Sequence, residues 1–331
     1  MKQPLYQMAF DASTLLNEHP PQFRHAHKAA LFNIAYPDGI APSSNIEVTR
    51  WEQQVDEPLR LPQTLSSTII PNYYDYQPAG DCSACVEWHV NFADPRLFVA
   101  YGSSLFAQDE MQVAEHPLLA SIREALLSRG LPASTIDDAG PTPILIRHVE
   151  RRLSISTEPD AALGRPFGLY GNRFKSAAIE VVCKATSRID PPTYSNIIAM
   201  ASLPGGTGEY TEAQIRYILA TAVTAFAAAR YESDRMGHPS AQVVIHSGFW
   251  GCGAFGGNRH LMTALQAIAA RAARIGRFVF HSGDAAGARD ANSGFDVADK
   301  LAARCGPECP LDVLLRECFQ MRFQWGVSDG N

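Results

Sequence analysis

The chain has 331 residues, a formal net charge of −6 at pH 7 and an apolar fraction of 46%. This length fits one large α/β domain with an extension, or two modest domains, and the composition is that of a globular protein with a sizeable core. The acidic balance argues against an electrostatic nucleic-acid binder, because such proteins need clustered Lys and Arg to neutralise phosphates. A small anionic ligand remains compatible, since backbone amides can hold one without positive side chains.

The first residues, MKQPLYQMAFDASTLL, contain no apolar run of the kind found in a signal peptide. No stretch of the sequence approaches the length of a membrane span. We therefore expect no membrane partner and no nucleic-acid partner. The expected location is the cytoplasm, or the exterior if a secretion system exports the chain without a cleavable signal.

The seven cysteines are odd in number and spread over a long chain, which favours reduced thiols over a disulfide framework. Cys82 with Cys85, and Cys305 with Cys309, form two pairs that a tetrahedral zinc site would need. Their spacing is poor for such a site, so we expect free or buried thiols and no metal.

Residues 1–80 are rich in turn signals such as PPQF, YPDG and IPNYYDYQPAG, and their periodicity is weak. They predict a loop-rich extension with short helices, packed on the main body. Alternation and apolar runs then predict strands over 86–92, 143–149, 197–202, 242–246 and 277–281.

Helices are predicted over about 116–129, ending at Gly130, and over about 259–275. A third begins at the capping box formed by Thr211 and Gln214. Two short helices are expected to close the chain, residues 93–110 look irregular, and 160–192 give no clear pattern. Strands alternating with helices indicate an α/β fold with a partly parallel sheet.

A glycine-rich segment, SGFWGCGAFGGN at 247–258, lies between a predicted strand and a predicted helix. Glycines allow positive φ and close backbone approach to a ligand. The exposed amides of such a loop, with the following helix N-terminus, form an anion site suited to a diphosphate. Asn258 is placed to cap the helix.

Three interpretations of this segment compete. GCGAFG matches the dinucleotide fingerprint G-x-G-x-x-G, but such a loop opens its domain, and only about 75 residues follow here. A phosphate-binding P-loop is excluded because no G-K-[ST] follows. Glycines that merely permit close helix–sheet packing remain the third interpretation.

GFWGCGAFGGN resembles the GNWGCGAFGG loop of poly(ADP-ribose) glycohydrolases, a branch of the macrodomain fold. The similarity continues without a gap through RHLMTALQAIAARAA and RFVFHSGD. In that family the loop wraps the diphosphate of ADP-ribose, and its aromatic residue packs near the distal ribose. The resemblance therefore implies ligand contacts from Gly248, Trp250, Gly251, Cys252, Gly253, Ala254, Phe255 and Gly256.

A second hallmark of the family is a triple glycine followed by Gln-Glu-Glu. The matching stretch is VNFADPRLFVAYGSSLFAQDEMQVAEHPLL at 90–119. Ungapped register with the family places Glu110 on its catalytic glutamate and Asp109 on the acidic neighbour. Without this register, an isolated Asp-Glu pair would be interpreted as two acidic residues on a solvent-exposed surface.

This chain departs from the family pattern around the acidic pair. The triple glycine is replaced by Phe98, Val99 and Ala100. The family's aspartate is Asn91 here, and its asparagine, which holds the distal ribose, is Asp94. These changes imply a different backbone around the reactive ribose and place Asn91 and Asp94 among the candidate site residues.

Cleavage of a ribosyl C1 bond passes through an oxocarbenium-like state, in which one carboxyl group protonates or stabilises the leaving group while water attacks. Adjacent acids on regular backbone cannot both face the ligand, so we assign Glu110 as the reacting group. Asp109 either orients Glu110 or contacts the leaving group. Asp94 adds a carboxylate suited to a cationic leaving group such as an arginine guanidinium.

Other candidates carry weaker signals. Tyr170, Gly171 and Asn172 form a turn that borders the ligand or is only a turn. His246 and His281 end neighbouring strands, where sites often form, although satisfied histidines are the commoner outcome.

The resemblance implies a macrodomain-like three-layer α/β/α fold with a mixed sheet over residues 81–331, preceded by an extension at 1–80. The expected function is removal of ADP-ribose from ADP-ribosylated protein, as mono-ADP-ribose and with arginine as the linkage, without a cofactor or metal. The alternatives are cleavage between the units of poly(ADP-ribose), and a reader that binds ADP-ribose without cutting it.

Overall fold

A computed structural model describes residues 3–62, 64–78, 85–237 and 241–330. In this part of the chain the strands are β1 (Tyr6–Asp11), β2 (Asn45–Arg50), β3 (Leu59–Arg60), β4 (Ser67–Ile70), β5 (Cys85–Ala93), β6 (Ile136–Asp137), β7 (Gly140–Pro141), β8 (Ile144–Ile155), β9 (Thr186–Ala201), β10 (Gln242–Gly248), β11 (Arg277–His281) and β12 (Glu308–Cys309). The helices are α1 (Ala12–Glu18), α2 (Ala26–Ala35), α3 (Gln108–Glu115), α4 (Leu118–Ser128), α5 (Ile179–Lys184), α6 (Glu212–Arg235), α7 (Arg259–Ala272), α8 (Ala285–Cys305) and α9 (Leu311–Phe319), with a 3₁₀ helix at Gly171–Ser176.

The main sheet has eight strands in the order β1-β2-β8-β9-β5-β10-β11-β4. Along this order, the pairs β1–β2, β2–β8 and β8–β9 are antiparallel. From β9 through β5, β10 and β11 to β4 the pairing is parallel. The mixed α/β sheet expected from the sequence is therefore confirmed.

Helices cover both faces of the sheet, which gives three layers. On one face, the largest apolar core joins α6, α7, α8 and α9 to inward residues of the central strands, such as Trp88 of β5. On the opposite face, α1 and α4 pack over β1, β2 and β8, while α2 and α5 form a smaller core beside them. The helices of the second face thus lie mainly over the antiparallel half of the sheet.

Two helix starts follow directly from the sequence signals. Thr211 caps α6 by accepting a hydrogen bond from the Gln214 amide, and the Gln214 side chain accepts one from the Thr211 amide. The Asn258 Oδ1 atom accepts from the Leu261 amide at 3.0 Å at the start of α7. Both predicted caps are confirmed.

The end of the chain differs from the expectation of two short helices. Helix α8 has 21 residues, whereas α9 has 9. Gly294 lies inside α8, where a Cβ atom would come within 2.5 Å of the Thr263 side chain on α7. The glycine therefore allows close packing of α8 on α7, and the expectation of a short helix was wrong.

The first eighty residues also differ from a purely loop-rich segment. Strands β1, β2 and β4 lie in the main sheet, and β1 and β2 form one of its edges. The short helices α1 and α2 are present as expected. A domain boundary at residue 80 stays a prediction.

Five cysteines carry free thiols, as expected: Cys183, Cys252, Cys305, Cys309 and Cys318. Cys85 is disulfide-bonded, so the expectation of free thiols is wrong for that residue. Cys82 lies outside the described residues. Over the described ranges, no helix is both long and apolar enough to cross a membrane.

Candidate active site

The candidate site lies at the carboxyl edge of the parallel strands. The loop after β10 contains the glycine-rich segment, and β5 ends beside it. The Phe92 ring lies 3.4 Å from the position that a Cβ on Gly248 would occupy. Crevices outside the carboxyl ends of parallel strands are the usual ligand sites of α/β folds.

The glycine-rich loop is compact and depends on its glycines. Gly251 and Gly256 have φ values of +75° and +63°, which side-chain-bearing residues rarely adopt. A Cβ on Gly248 would lie 2.6 Å from the His281 carbonyl oxygen, and one on Gly251 would meet the Ser202 hydroxyl at 2.4 Å. The glycines thus serve close packing against β9 and β11, and this packing shapes the loop that the sequence assigned to the diphosphate.

The side chains of this loop differ in their surroundings. Trp250 is fully buried, and its Nε1 atom donates to the Met200 carbonyl oxygen at 3.0 Å. Cys252 and Phe255 are partly buried, and Ala254 is exposed. Trp250 was predicted to contact the ligand. Because its indole is buried in the core, only its backbone could make that contact.

A C-terminal segment, residues 325–330, crosses the glycine-rich loop. The Asp329 amide donates to the Gly253 carbonyl oxygen at 3.3 Å. The Asp329 Oδ2 atom lies 3.2 Å from the position of a Cβ on Gly253. Trp325 anchors the segment by stacking on Tyr210, with ring centroids 4.2 Å apart. A carboxylate thus sits against the loop expected to bind an anion.

The acidic pair occupies the first turn of α3, and both carboxyl groups are buried. Asn91 Nδ2 donates to Asp109 Oδ1 at 3.1 Å. Glu110 Oε2 accepts from the Ala107 amide at 3.0 Å, which ties this side chain to the helix start. The two acids therefore have different hydrogen-bond partners, as distinct roles would require.

Gln108 fixes the start of α3 to the end of β5. Its Oε1 atom accepts from the Phe92 amide at 2.7 Å, and its Nε2 atom donates to the Val90 carbonyl oxygen at 3.1 Å. The Gln108 side chain therefore hydrogen-bonds to the backbone of β5 in the same way as the backbone of an adjacent strand would. It holds the acidic pair at the carboxyl edge of the sheet.

The electrostatics of the pair favour protonated carboxyl groups. Burial raises the pKa of Asp109 well above its usual value, and the neighbouring Glu110 raises it further. Burial also raises the pKa of Glu110, while the positive charge of Lys28 opposes that rise. A carboxyl group whose pKa is raised in this way is suited to act as a general acid.

Lys28 of α2 is a buried cation beside this pair. Its Nζ atom donates to the Tyr101 carbonyl oxygen at 3.0 Å and lies 5.0 Å from the centroid of the Phe106 ring. Burial lowers the pKa of Lys28 to about 8, against the attraction of the two acids. Lys28 is therefore a further member of the candidate site.

Tyr170 lies close to both the acidic pair and the C-terminal segment. Burial raises the pKa of its hydroxyl, and the carboxylates of Asp329 and Glu110 contribute to the rise. The adjacent Asn172 donates from Nδ2 to the Gly330 carbonyl oxygen at 2.9 Å. The turn at 170–172 therefore borders the site and also holds the C-terminal segment.

Asp94 lies just after β5, with its side chain 36% exposed. Its Oδ1 atom accepts from the Arg96 amide at 2.8 Å and lies 3.6 Å from the Arg96 guanidinium. Its charge adds a lesser contribution to the raised pKa values of Asp109 and Glu110. Asp94 is thus near the pair, and its role toward a leaving group stays a prediction.

The segment that replaces the family's triple glycine keeps a left-handed residue. Phe98 has φ of +51° and is fully buried. Non-glycine residues at positive φ are uncommon and strained unless the surroundings hold them in place. Here the aromatic ring packs in the core formed with α1 and α4, which holds the turn.

Histidines also gather beneath this edge of the sheet. His246 Nδ1 lies 3.0 Å from His281 Nε2, so these two predicted candidates contact each other. His89, which the sequence analysis did not single out, stacks on His246 with centroids 4.3 Å apart. Side chains two residues apart on a strand share a face, so His89 lies on the same face as Asn91. This alternation is the sequence signal that could have identified His89 as a candidate.

Residues 169–287 match a family model described as Poly (ADP-ribose) glycohydrolase (PARG), Macro domain fold. The match contains β9, the glycine-rich loop and β11. The matched residues are therefore similar to the catalytic macrodomain of poly(ADP-ribose) glycohydrolases. The resemblance and the macrodomain fold are thereby confirmed for this part of the chain. The acidic segment precedes the matched residues, so its catalytic assignment stays a prediction.

Solved structures of similar shape include poly(ADP-ribose) glycohydrolase from Thermomonospora curvata, with 16% identity, a TM-score of 0.48, and coverage of 82% of this chain and 98% of that chain. The enzyme from Deinococcus radiodurans in complex with ADP-ribose has 12% identity, a TM-score of 0.42, and coverage of 88% of this chain and 95% of that chain. No curated protein matches the chain.

Proposed function

We propose that this macrodomain protein hydrolyses the bond between C1 of a ribose in ADP-ribose and a protein acceptor. The observation that carries the proposal is the buried pair Asp109 and Glu110, held at the same sheet edge as the glycine-rich loop. The family match over that loop supports ADP-ribose as the ligand. Its partner is thus an ADP-ribose moiety on a protein substrate.

In the proposed reaction the diphosphate binds the glycine-rich loop, whose amides and helix N-terminus suit an anion. Glu110 donates a proton to the leaving atom as the C1 bond breaks; water then attacks C1 and transfers a proton back to the Glu110 carboxylate. The raised pKa of Glu110 allows it to hold that proton before the reaction. Asp109, fixed by Asn91, orients the ribose or the water rather than reacting itself.

We further propose a mono-ADP-ribosyl substrate linked to arginine. Asp94 supplies a partly exposed carboxylate near the acidic pair, and carboxylates pair with guanidinium groups through two hydrogen bonds. Phe98, Val99 and Ala100 replace the family's triple glycine, so contacts to a polymer need not be retained. The family match itself fits cleavage of poly(ADP-ribose) equally well, and this activity is the alternative.

The test compares wild-type protein with Glu110→Gln on three substrates. These are proteins carrying mono-ADP-ribosyl-arginine, mono-ADP-ribosyl-glutamate and poly(ADP-ribose), with released ADP-ribose measured by chromatography. We expect wild-type release from the arginine substrate and a loss of at least about 100-fold in the variant, as for removal of a general acid. Glu212→Gln, an exposed glutamate on α6, is the matched control and retains activity.

Each outcome has a definite meaning. Release from poly(ADP-ribose) with intact ADP-ribosylated arginine contradicts the arginine assignment and establishes the alternative. Equal, negligible release by wild type and Glu110→Gln from all three substrates contradicts the hydrolase. Binding of ADP-ribose without turnover would then identify a reader.

A further inference from the structure

An imidazole–carboxylate cluster lies on the sheet face opposite α6 and α7. It consists of Glu87 and His89 from β5 and His246 from β10. Glu87 and His89 are two residues apart on one strand and share a face, and His246 pairs with His89 in the sheet register. One potential ligand atom from each of the three residues lies within 4.8 Å of the others.

His89 has no hydrogen-bond partner for either ring nitrogen within the described residues. Its exposed fraction is 5%. The rings of His246 and Tyr76 lie over it at centroid distances of 4.3 and 4.6 Å. A buried polar atom left unpaired destabilises the folded state, so such a group needs a ligand or another explanation.

A chain of hydrogen bonds fixes the tautomer of His246. The Tyr73 carbonyl oxygen can only accept, so His281 Nδ1, at 3.2 Å, carries the proton. In neutral His281 the Nε2 atom then accepts, and His246 Nδ1, at 3.0 Å, must donate. His246 Nε2 is left with a lone pair.

That lone pair faces a carboxylate. His246 Nε2 lies 2.9 Å from Glu87 Oε2. Two acceptor atoms at this distance repel each other unless a proton or a metal cation lies with them. The unpartnered nitrogens of His89 in the same cluster favour the metal, because one added proton would satisfy the Glu87–His246 pair and leave His89 unpaired.

We propose that Glu87, His89 and His246 bind a divalent transition-metal ion of the zinc type. Two imidazoles and one carboxylate form a donor set that holds Zn²⁺ and leaves one position for water. Ligand atoms of a tetrahedral zinc ion lie about 3.3 Å apart. The rings of His89 and His246 stack at an interplanar angle of 11°, so one of them would rotate out of the stack for both lone pairs to reach the same ion. His281 and the Tyr73 carbonyl oxygen would orient His246 from behind, as outer partners of metal-bound histidines do.

The site is reachable and is separate from the proposed hydrolysis. The Glu87 side chain is 22% exposed, so the cluster opens to solvent at this residue. Asn91, which contacts the acidic pair, lies two residues beyond His89 along β5. The ion would join β5 to β10, and metal binding would therefore stabilise the folded state.

The test uses the full chain after removal of metals with a chelator. Zn²⁺ and Co²⁺ are then titrated, with stoichiometry measured by calorimetry and Co²⁺ coordination followed by visible absorption. We expect one high-affinity ion per chain and an increase in Tm on zinc addition. His89→Phe keeps an aromatic ring in the stack and removes both nitrogens, so it should fold, lose that ion and show no zinc-dependent increase in Tm.

Two further variants sharpen the result. His281→Ala removes an outer partner, so its zinc affinity should fall about 10–100-fold with the stoichiometry retained. His148→Ala, at an exposed histidine on β8, is the control for adventitious surface binding and should bind zinc as the wild type does. A wild-type protein that binds no zinc, or a folded His89→Phe that binds it equally, would overturn the proposal. Neither readout depends on hydrolase activity.

Discussion

Asn91 Nδ2 donates a hydrogen bond of 3.1 Å to Asp109 Oδ1, joining β5 to the first turn of α3. At this position the resembling family has an aspartate, whose carboxylate could not donate in the same way. The amide therefore defines how one of the two buried acids is held. This relationship leads to the first prediction.

Asn91→Ala should lower kcat by about tenfold, which corresponds to about 1.4 kcal/mol for one lost hydrogen bond. KM should change less, because Asn91 holds an acid rather than the diphosphate. Steady-state kinetics on the substrate that wild type cleaves measures both values. Asn292→Ala, an exposed asparagine on α8, serves as the control. An increase in KM with unchanged kcat would assign Asn91 to ligand binding instead.

Lys28→Met should move the alkaline limb of the pH profile to higher pH. The acid form of Glu110 is lost as pH rises through its pKa, which burial raises and Lys28 opposes. Removing the positive charge should raise that pKa further, so activity persists to higher pH. The dependence of kcat/KM on pH measures the limb, because it reports groups of the free enzyme.

Lys300→Met, on the exposed face of α8, is the matched control for this charge change. Circular dichroism must show that Lys28→Met is folded, because the change also removes a hydrogen bond to Tyr101. A limb that stays in place or moves to lower pH would show that Lys28 does not set the pKa of the reacting acid.

Asp329→Asn should strengthen binding of ADP-ribose by about three- to tenfold. The Asp329 carboxylate lies against Gly253 in the loop proposed to hold the diphosphate, so ligand and carboxylate compete or repel. A ligand whose site is open only part of the time binds more weakly by that fraction. Calorimetry with ADP-ribose measures the change, with Asp312→Asn, at an exposed side chain of α9, as control. Weaker binding would instead make Asp329 a ligand contact.

Local signals predicted much of the central fold. The capping box at Thr211, the cap at Asn258 and strand β11 all follow from short patterns and agree with the structure. These features depend on neighbours within one turn or one strand, so the sequence contains the required information. The glycine-rich loop was located in the same way and is supported by the family match.

Features that depend on distant pairing were missed. Strands β1 and β2 lie at one edge of the sheet, and β2 pairs with β8 about a hundred residues later. Lys28 reaches the acidic pair from a helix some eighty residues earlier, with no local pattern to mark it. Gln108 lay inside the aligned acidic segment, but its bonds to Phe92 and Val90 become visible only in three dimensions.

The left-handed turn at Phe98 has a consequence for the entropy of ligand binding. Three glycines would give this segment many conformations in solution, and a ligand would have to restrict them. Phe98, Val99 and Ala100 leave the chain fewer choices, and the Phe98 ring is held in the core. Ligand binding should therefore cost little conformational entropy in the segment beside the acidic pair. We expect ADP-ribose to contact an ordered segment there.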